Sequence, residues 1–277
     1  MLLASFVAHY SRRRDLSPSS ETHLAFAVRS LEAHAGRPLE LSSLTCELID
    51  GWIAARLSAG RSRILVHRQR GAVLTLWRAA HAAGLAAQLP EDVRMVRVRL
   101  DPPRAWQPDE FVLLLAAIDR LHGAFACGVP RRLFLRALAL VGYYSGLRPS
   151  DLRRLRAADI STTGRLVVRV QKTGQVFDCL LPADALAAIA ATQPERRELL
   201  FPISRKTLCA AWRSLIKAAG IAGTPKWLRR TGATRCEQQQ PGSAMAYLGH
   251  RTPGLAHRHY VDSRQIASQR PVPPPLG

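Results

Sequence analysis

The chain has 277 residues, 47% of them hydrophobic, and carries 40 Lys plus Arg against 20 Asp plus Glu, a formal charge of +20. That surplus attracts polyanions, so nucleic acid is the expected partner, and the length suits about two domains. Five scattered cysteines (Cys46, Cys127, Cys179, Cys209, Cys236) argue against a zinc site or a disulfide framework. No apolar run reaches membrane-spanning length, and aromatics at 6% are too sparse to favour a base-stacking sheet.

The opening MLLASFVAHYSRRR is a brief apolar run before charges, the wrong order for a signal peptide. The expected location is therefore the cytoplasm, on DNA. Residues 18–34 predict a helix through the spacing of Leu24, Val28 and Leu31, with Ser19 or Ser20 as cap. A second helix is expected over about 43–59. A third spans about 62–83, with Val66, Val73, Leu76, Trp77 and Ala80 in one stripe. Arg61, Arg63, Arg68 and Arg70 gather at its start, and no acidic residue occurs between Gly51 and Pro90. A one-signed run of this kind fits a phosphate-facing surface better than a merely solvated one.

From Leu89 to Gln107 the periodicity breaks into RMVRVRLDPPRAWQP, the composition of a connection. The expected organisation is a helical domain over 1–89, a linker over 90–106, a second domain over 107–265 and a flexible Pro-rich tail over 266–277. Helices are expected from Pro108, over 131–144, and from Pro149. A hairpin turning at Lys172-Thr173-Gly174 follows. Further helices are expected at about 182–191, 204–219, 225–239, 242–248 and 253–260.

Three local patterns stand out in the second half. GYYSGLRPSDLRRL places Arg148 just before a helix. The hairpin turn bears Lys172. TPKWLRRTGATR followed by YLGHRTPGLAHRHY supplies Lys226, Arg229, His250 and Tyr260. Each alone has an ordinary reading as cap, solvated lysine or packing tyrosine. In this order they resemble the tyrosine recombinase (phage integrase) family, and the resemblance runs over roughly residues 5–262.

The resemblance implies a mostly α, α+β architecture. A SAM-like all-α core-binding domain precedes a mixed catalytic domain with a small antiparallel hairpin sheet, and the two clamp duplex DNA. It also implies a homo-tetramer on two duplexes, with no metal, no cofactor and no membrane, and it is silent on accessory proteins. Tyr260 would be the nucleophile that forms a 3′-phosphotyrosine. Arg148 and Arg229 would hold the non-bridging oxygens, because a guanidinium is always charged and grips two oxygens at once. Lys172 would protonate the leaving 5′ oxygen, and His250 would hydrogen-bond a phosphate oxygen. Asp151 either orients a neighbouring active-site group or complements a helix dipole, and both readings stay open.

Two positions depart from the family pattern. Lys226 stands where His is usual, as in type IB topoisomerases, so DNA relaxation is one alternative activity. Ten residues separate His250 from Tyr260 where nine are typical. One extra helical residue would turn the tyrosine by about 100°, so a loop near Pro253-Gly254 must absorb it. An inactive DNA-binding relative is the other alternative.

Overall fold

The computed structural model describes residues 1–99, 101–171, 174–250 and 254–266. The chain splits into two compact units, Met1–Leu100 and Asp101–Gly277.

The first unit is helical: α1 (Leu3–Arg13), α2 (Pro18–Ala35), α3 (Cys46–Ser58) and α4 (Arg63–Ala82). Helix α1 has no counterpart among the helices expected from sequence. It buries Leu3, Phe6 and Val7, and tertiary hydrogen bonds hold its start: Leu3 N–H to Leu39 O at 2.8 Å and Leu41 N–H to Met1 O at 3.0 Å. The cap of α2 is Ser17, two to three residues before the serines expected, because Pro18 occupies the first helical position. Thr45 caps α3, so that helix starts later than the sequence suggests, after a 3-10 turn over Leu41–Ser43.

All five apolar stripe positions of α4 are buried around Trp52 and Trp77. Gln69 lies in the same stripe, and its side-chain oxygen accepts from Arg56 at 2.7 Å, which meets part of the need of a buried amide.

The basic start of α4 divides by partner. Arg63 Nε donates to Arg97 O at 3.0 Å, and Arg70 donates to Arg94 O at 2.7 Å and Val93 O at 2.8 Å. These bonds lash the extended segment 93–97 onto α4, with Val93 and Val96 buried beneath. Arg61 and Arg68 are exposed.

The second unit comprises α5 (Pro108–Asp119), α6 (Arg131–Ser145), α7 (Pro149–Leu152), strands β1 (Arg165–Arg169) and β2 (Val176–Leu180), α8 (Ala183–Ala190), α9 (Arg205–Ala219), α10 (Lys226–Gln239), α11 (Ser243–Tyr247) and α12 (Leu255–His259). The strands pair antiparallel, with Val167 opposite Asp178. Leu166 and Phe177 turn into the core while Val167 and Val176 face out, the alternation a half-buried hairpin requires. Trp106, Phe134, Phe201 and Trp212 anchor that core.

Helix α10 lies against α6. A Cβ on Gly142 would meet Leu228 Cδ1 at 2.9 Å, so the close approach depends on glycine. Among the described residues no helix is long and apolar enough to cross a membrane.

Candidate active site

The site is assembled from the ends of short elements. Helix α6 stops at Gly146, whose φ is 62°, a conformation glycine adopts at little cost. The chain then reverses through Leu147 to Arg148, the residue that precedes α7. A Cβ at Gly146 would also sit 2.7 Å from the Tyr247 ring, and one at Gly232 would overlap the Tyr247 hydroxyl. Tyr247 is half-buried against the site, its hydroxyl donating to Tyr143 O. Gly146, the second glycine of GYYSGLR, thus serves both the turn and the packing, a requirement sequence alone does not display.

Arg229 projects from the first turn and a half of α10 and is 2% exposed. It donates to Gly146 O, to Leu248 O at 3.1 Å and to His250 Nε2 at 3.1 Å. These contacts tie the Arg148 turn, α10 and the His250 segment to a single guanidinium. Burial lowers its pKa from the ordinary value, with Tyr260 acting in the opposite sense. Arginine stays charged in proteins nonetheless, so a buried cation sits here among two backbone oxygens, His250 and Tyr260.

Tyr260 follows α12 directly. Its ring lies 4.7 Å from Arg229 Cζ, 5.5 Å from Lys226 Nζ and 5.2 Å from the His250 ring. Burial raises the pKa of its hydroxyl. The charges of Arg229, Arg148 and Lys226, with a hydrogen bond from Arg148, outweigh burial and bring it below the ordinary tyrosine value. Such a phenol surrenders its proton more readily than a solvated one, as an oxygen nucleophile requires.

The extra residue between His250 and Tyr260 does not rotate the tyrosine away. Helix α12 starts only at Leu255, after Gly254 with φ 74°, and Tyr260 leaves helical geometry at φ −132°. Residues 251–253 lie outside the described residues.

The structure therefore brings together Arg148, Lys226, Arg229, His250 and Tyr260. Lys172 lies outside the described residues. Asp151 is 3% exposed, and its Oδ1 accepts from Gln171 N–H at 3.3 Å. It grips the hairpin backbone one residue before Lys172. Arg61, Arg63, Arg68 and Arg70 belong to the other unit. Sequence reasoning passed over Thr231, Thr234, Glu237 and Asp262, all buried polar residues around this site. The signal was the run RRTGATRCE on one helix, where threonines and a glutamate recur among apolar positions.

His250 is held neutral. Burial, then the charges of Arg229, Arg148 and His259, lower its pKa to about 4. With Nε2 accepting from Arg229, the ring proton resides on Nδ1. In the unfolded chain the group titrates near 6.5, so the unfolded state binds more protons below that value. Stability contributed by neutral His250 is full above about pH 6.5 and is lost as pH falls toward 4. His250→Gln is expected to flatten thermal stability between pH 6.5 and 4.5, relative to the unaltered chain. An equally steep loss in the variant would assign the pH dependence elsewhere.

A model of the phage integrase family matches residues 106–266. The chain belongs to this family. Among curated relatives, a tyrosine recombinase XerC from Mycobacterium sp. (strain KMS) is 30% identical over 129 residues, 46% of this chain and 42% of that protein. The XerC of Mycobacterium tuberculosis (strain CDC 1551 / Oshkosh) is 32% identical over 143 residues, 50% of this chain and 47% of that protein. These matches span less than half the length of the curated relatives.

The fold extends further than the sequence likeness. A lambda integrase (75–356) dimer bound to a COC′ core site superposes with TM-score 0.74 at 18% identity, covering 100% of this chain and 99% of that one. The Tn1549 transposon integrase (82–397) in complex with circular intermediate DNA gives TM-score 0.71 at 15% identity, covering 96% and 95%. The phage integrase family member described here thus shares that mostly helical fold with its two-stranded hairpin.

Proposed function

We propose that this chain is a site-specific DNA recombinase that cleaves and rejoins duplex DNA through Tyr260. The observation that carries the reading is the tyrosine hydroxyl set among Arg148, Arg229 and Lys226, in a unit of the phage integrase family. Tyr260 gives its phenolic proton to water as Oη attacks phosphorus, the bond from phosphorus to the 5′ oxygen breaks, and a 3′-phosphotyrosine forms. The departing 5′ oxygen takes a proton from Lys172. Rejoining reverses these steps with a 5′ hydroxyl from the partner strand, so the phosphodiester energy is kept in the covalent bond. Arg148 and Arg229 neutralise charge developing on the non-bridging oxygens. An arriving phosphate draws His250 off Arg229 and favours its protonated, donating form.

The working assembly is a homo-tetramer on two duplexes. The shared fold supports this, since a chain from the structure of a lambda integrase tetramer bound to a Holliday junction superposes with TM-score 0.72.

The deciding experiment uses a nicked DNA substrate that loses its 5′ fragment after cleavage. A trapped protein–DNA species mapping to Tyr260, with strand exchange between two sites, supports the reading. Relaxation of supercoiled plasmid without exchange would make the protein a topoisomerase, the activity Lys226 hints at. Binding with no adduct would leave a DNA-binding relative.

Lys172→Ala is expected to be slow on ordinary DNA and largely rescued when sulfur replaces the bridging 5′ oxygen, because a thiolate leaves without a proton. Equal defects on both substrates would make the lysine a phosphate contact instead.

The arginines of α4 are expected to separate into two behaviours. Arg68→Ala should keep stability and lower the salt slope of DNA binding by about one unit, as loss of one phosphate contact does. Arg70→Ala should also cost stability, about 1–2 kcal/mol, because two carbonyls of the 93–97 segment lose their donor. Melting curves and binding isotherms at several salt concentrations test both.

A further inference from the structure

We propose that Asp262, on the segment that follows Tyr260, is a positioning residue that holds the nucleophile in register with Arg148 and Arg229; the proposal deepens the recombinase reading above. Helix α12 has five residues, too few to hold a helix by its own hydrogen bonds. The direction of Tyr260 is therefore set by what ties the chain down on either side. Upstream, His257 Nε2 meets the buried Glu237 at 3.0 Å, and Glu237 also accepts from the N–H groups of Gly242 and Ala244. Downstream, the tie is Asp262.

Asp262 lies two residues beyond Tyr260 and is 3% exposed. Its backbone N–H donates to Thr234 Oγ1 at 2.9 Å, and Thr234 is completely buried on α10, the helix that carries Lys226 and Arg229. Its Oδ2 accepts from Ala105 N–H at 3.1 Å, Arg264 Nη2 at 2.9 Å and Gln265 Nε2 at 3.2 Å. Its Oδ1 accepts from Arg264 Nε at 2.8 Å and Arg264 N–H at 3.2 Å. A buried carboxylate is costly unless its lone pairs are met, and here both oxygens are met by donors on two separate stretches of chain, Ala105 and Arg264–Gln265. Gln265 closes the ring by donating to Ala105 O at 2.8 Å, and Gln238 of α10 holds Gln265 O at 2.6 Å. The residue after the nucleophile, Val261, is buried among Ala233, Ala244, Leu248 and Ala256. The tyrosine segment is thus fastened to the catalytic helix of its own chain.

The alternative role for Asp262 is a plain structural carboxylate, or a negative charge balancing Arg230 and Arg264. The two roles differ in sign. Removing a nearby anion lowers a phenol's pKa or leaves it unchanged, whereas moving the phenol away from guanidiniums raises it. The charged groups that face Tyr260 are Arg148, Lys226, Arg229 and Arg230, with neutral His250 against its ring.

The test is a spectroscopic pH titration of phenolate in the full chain without DNA. Each variant is subtracted from the same variant carrying Tyr260→Phe, so that Tyr260 alone is read. Asp262→Ala and Thr234→Val are both expected to shift its ionisation upward toward the ordinary value of about 10, while Thr234→Ser stays with the unaltered chain. Single-turnover adduct formation on saturating DNA should fall about 10²-fold in the first two, the scale of a misplaced reacting group, with DNA affinity kept. If Asp262→Ala does not fold, Thr234→Val carries the test, since it removes one hydrogen bond with little change of shape. A Tyr260 ionisation that stays in place or falls in a folded Thr234→Val or Asp262→Ala variant overturns the proposal. Failure of the recombinase reading shows differently, as no adduct from the unaltered chain whatever the titration gives.

Discussion

Tyr260→Phe is expected to abolish covalent attachment to DNA while leaving DNA affinity within about twofold, the change expected when no phosphate-binding cation is lost. The variant removes one oxygen. The ring that Arg229 packs against at 4.7 Å remains, as does the hydrophobic contact with the small cluster around Leu248 and Val261. Arg148 and Lys226 keep their charge. Phosphate binding in the proposed mechanism rests on those cations, so affinity should survive. Two neighbouring side chains among the described residues are otherwise engaged: His257 pairs with Glu237, and the half-buried Tyr247 commits its hydroxyl to Tyr143 O, with its pKa driven well above the ordinary value by burial. Denaturing gels of the trapped species measure the effect. Adducts of undiminished yield in Tyr260→Phe would move the nucleophile elsewhere.

Arg229→Ala is expected to lower single-turnover cleavage by about 10²–10³-fold, the usual consequence of removing one transition-state donor. Its effect should exceed that of a phosphate contact alone, because the same guanidinium holds Gly146 O, Leu248 O and His250 Nε2. Two buried carbonyls would lose their donor, at about 1–3 kcal/mol each where water cannot replace it. Tyr260 would also lose the strongest of the charges that lower its pKa, and its ionisation should rise. Arg229→Lys should restore little, since an ammonium lacks the planar fork that reaches several acceptors at once. Cleavage rates at saturating DNA, read beside denaturant unfolding, separate the two losses. A variant with normal cleavage and lowered stability would make Arg229 a scaffold residue only.

Much of this was legible in the amino-acid order. The helical stripe of α4, the hairpin, and the succession Arg148, Lys226, Arg229, His250, Tyr260 are all local features, in which a fixed period or a short motif reports its own backbone state. Helix α1 was not legible in this way. Leu3, Phe6 and Val7 hold the right spacing, but a helix of that length is made stable by what it packs against, here α2 and α4, with its start bonded to Leu39 and Leu41. The arginines at the start of α4 read alike in sequence, yet Arg63 and Arg70 hold carbonyls of a segment 23 to 34 residues away while Arg61 and Arg68 face solvent.

The site divides along the same line. The sequence by itself determined which residue types are present, in which order, and that a tyrosine ends the series. Only the tertiary structure decided that Tyr260 meets Arg148 and Arg229 despite the extra residue after His250, because the break in helix at Gly254 and the tie at Asp262 set its direction. Only the structure decided that Arg229 is buried, with a partner 83 positions away at Gly146, and that His250 is neutral beside it. Spacing along a chain encodes the rotation of neighbours about one axis. Burial, charge and the aim of a side chain depend on segments that meet after long separations, and these follow from packing.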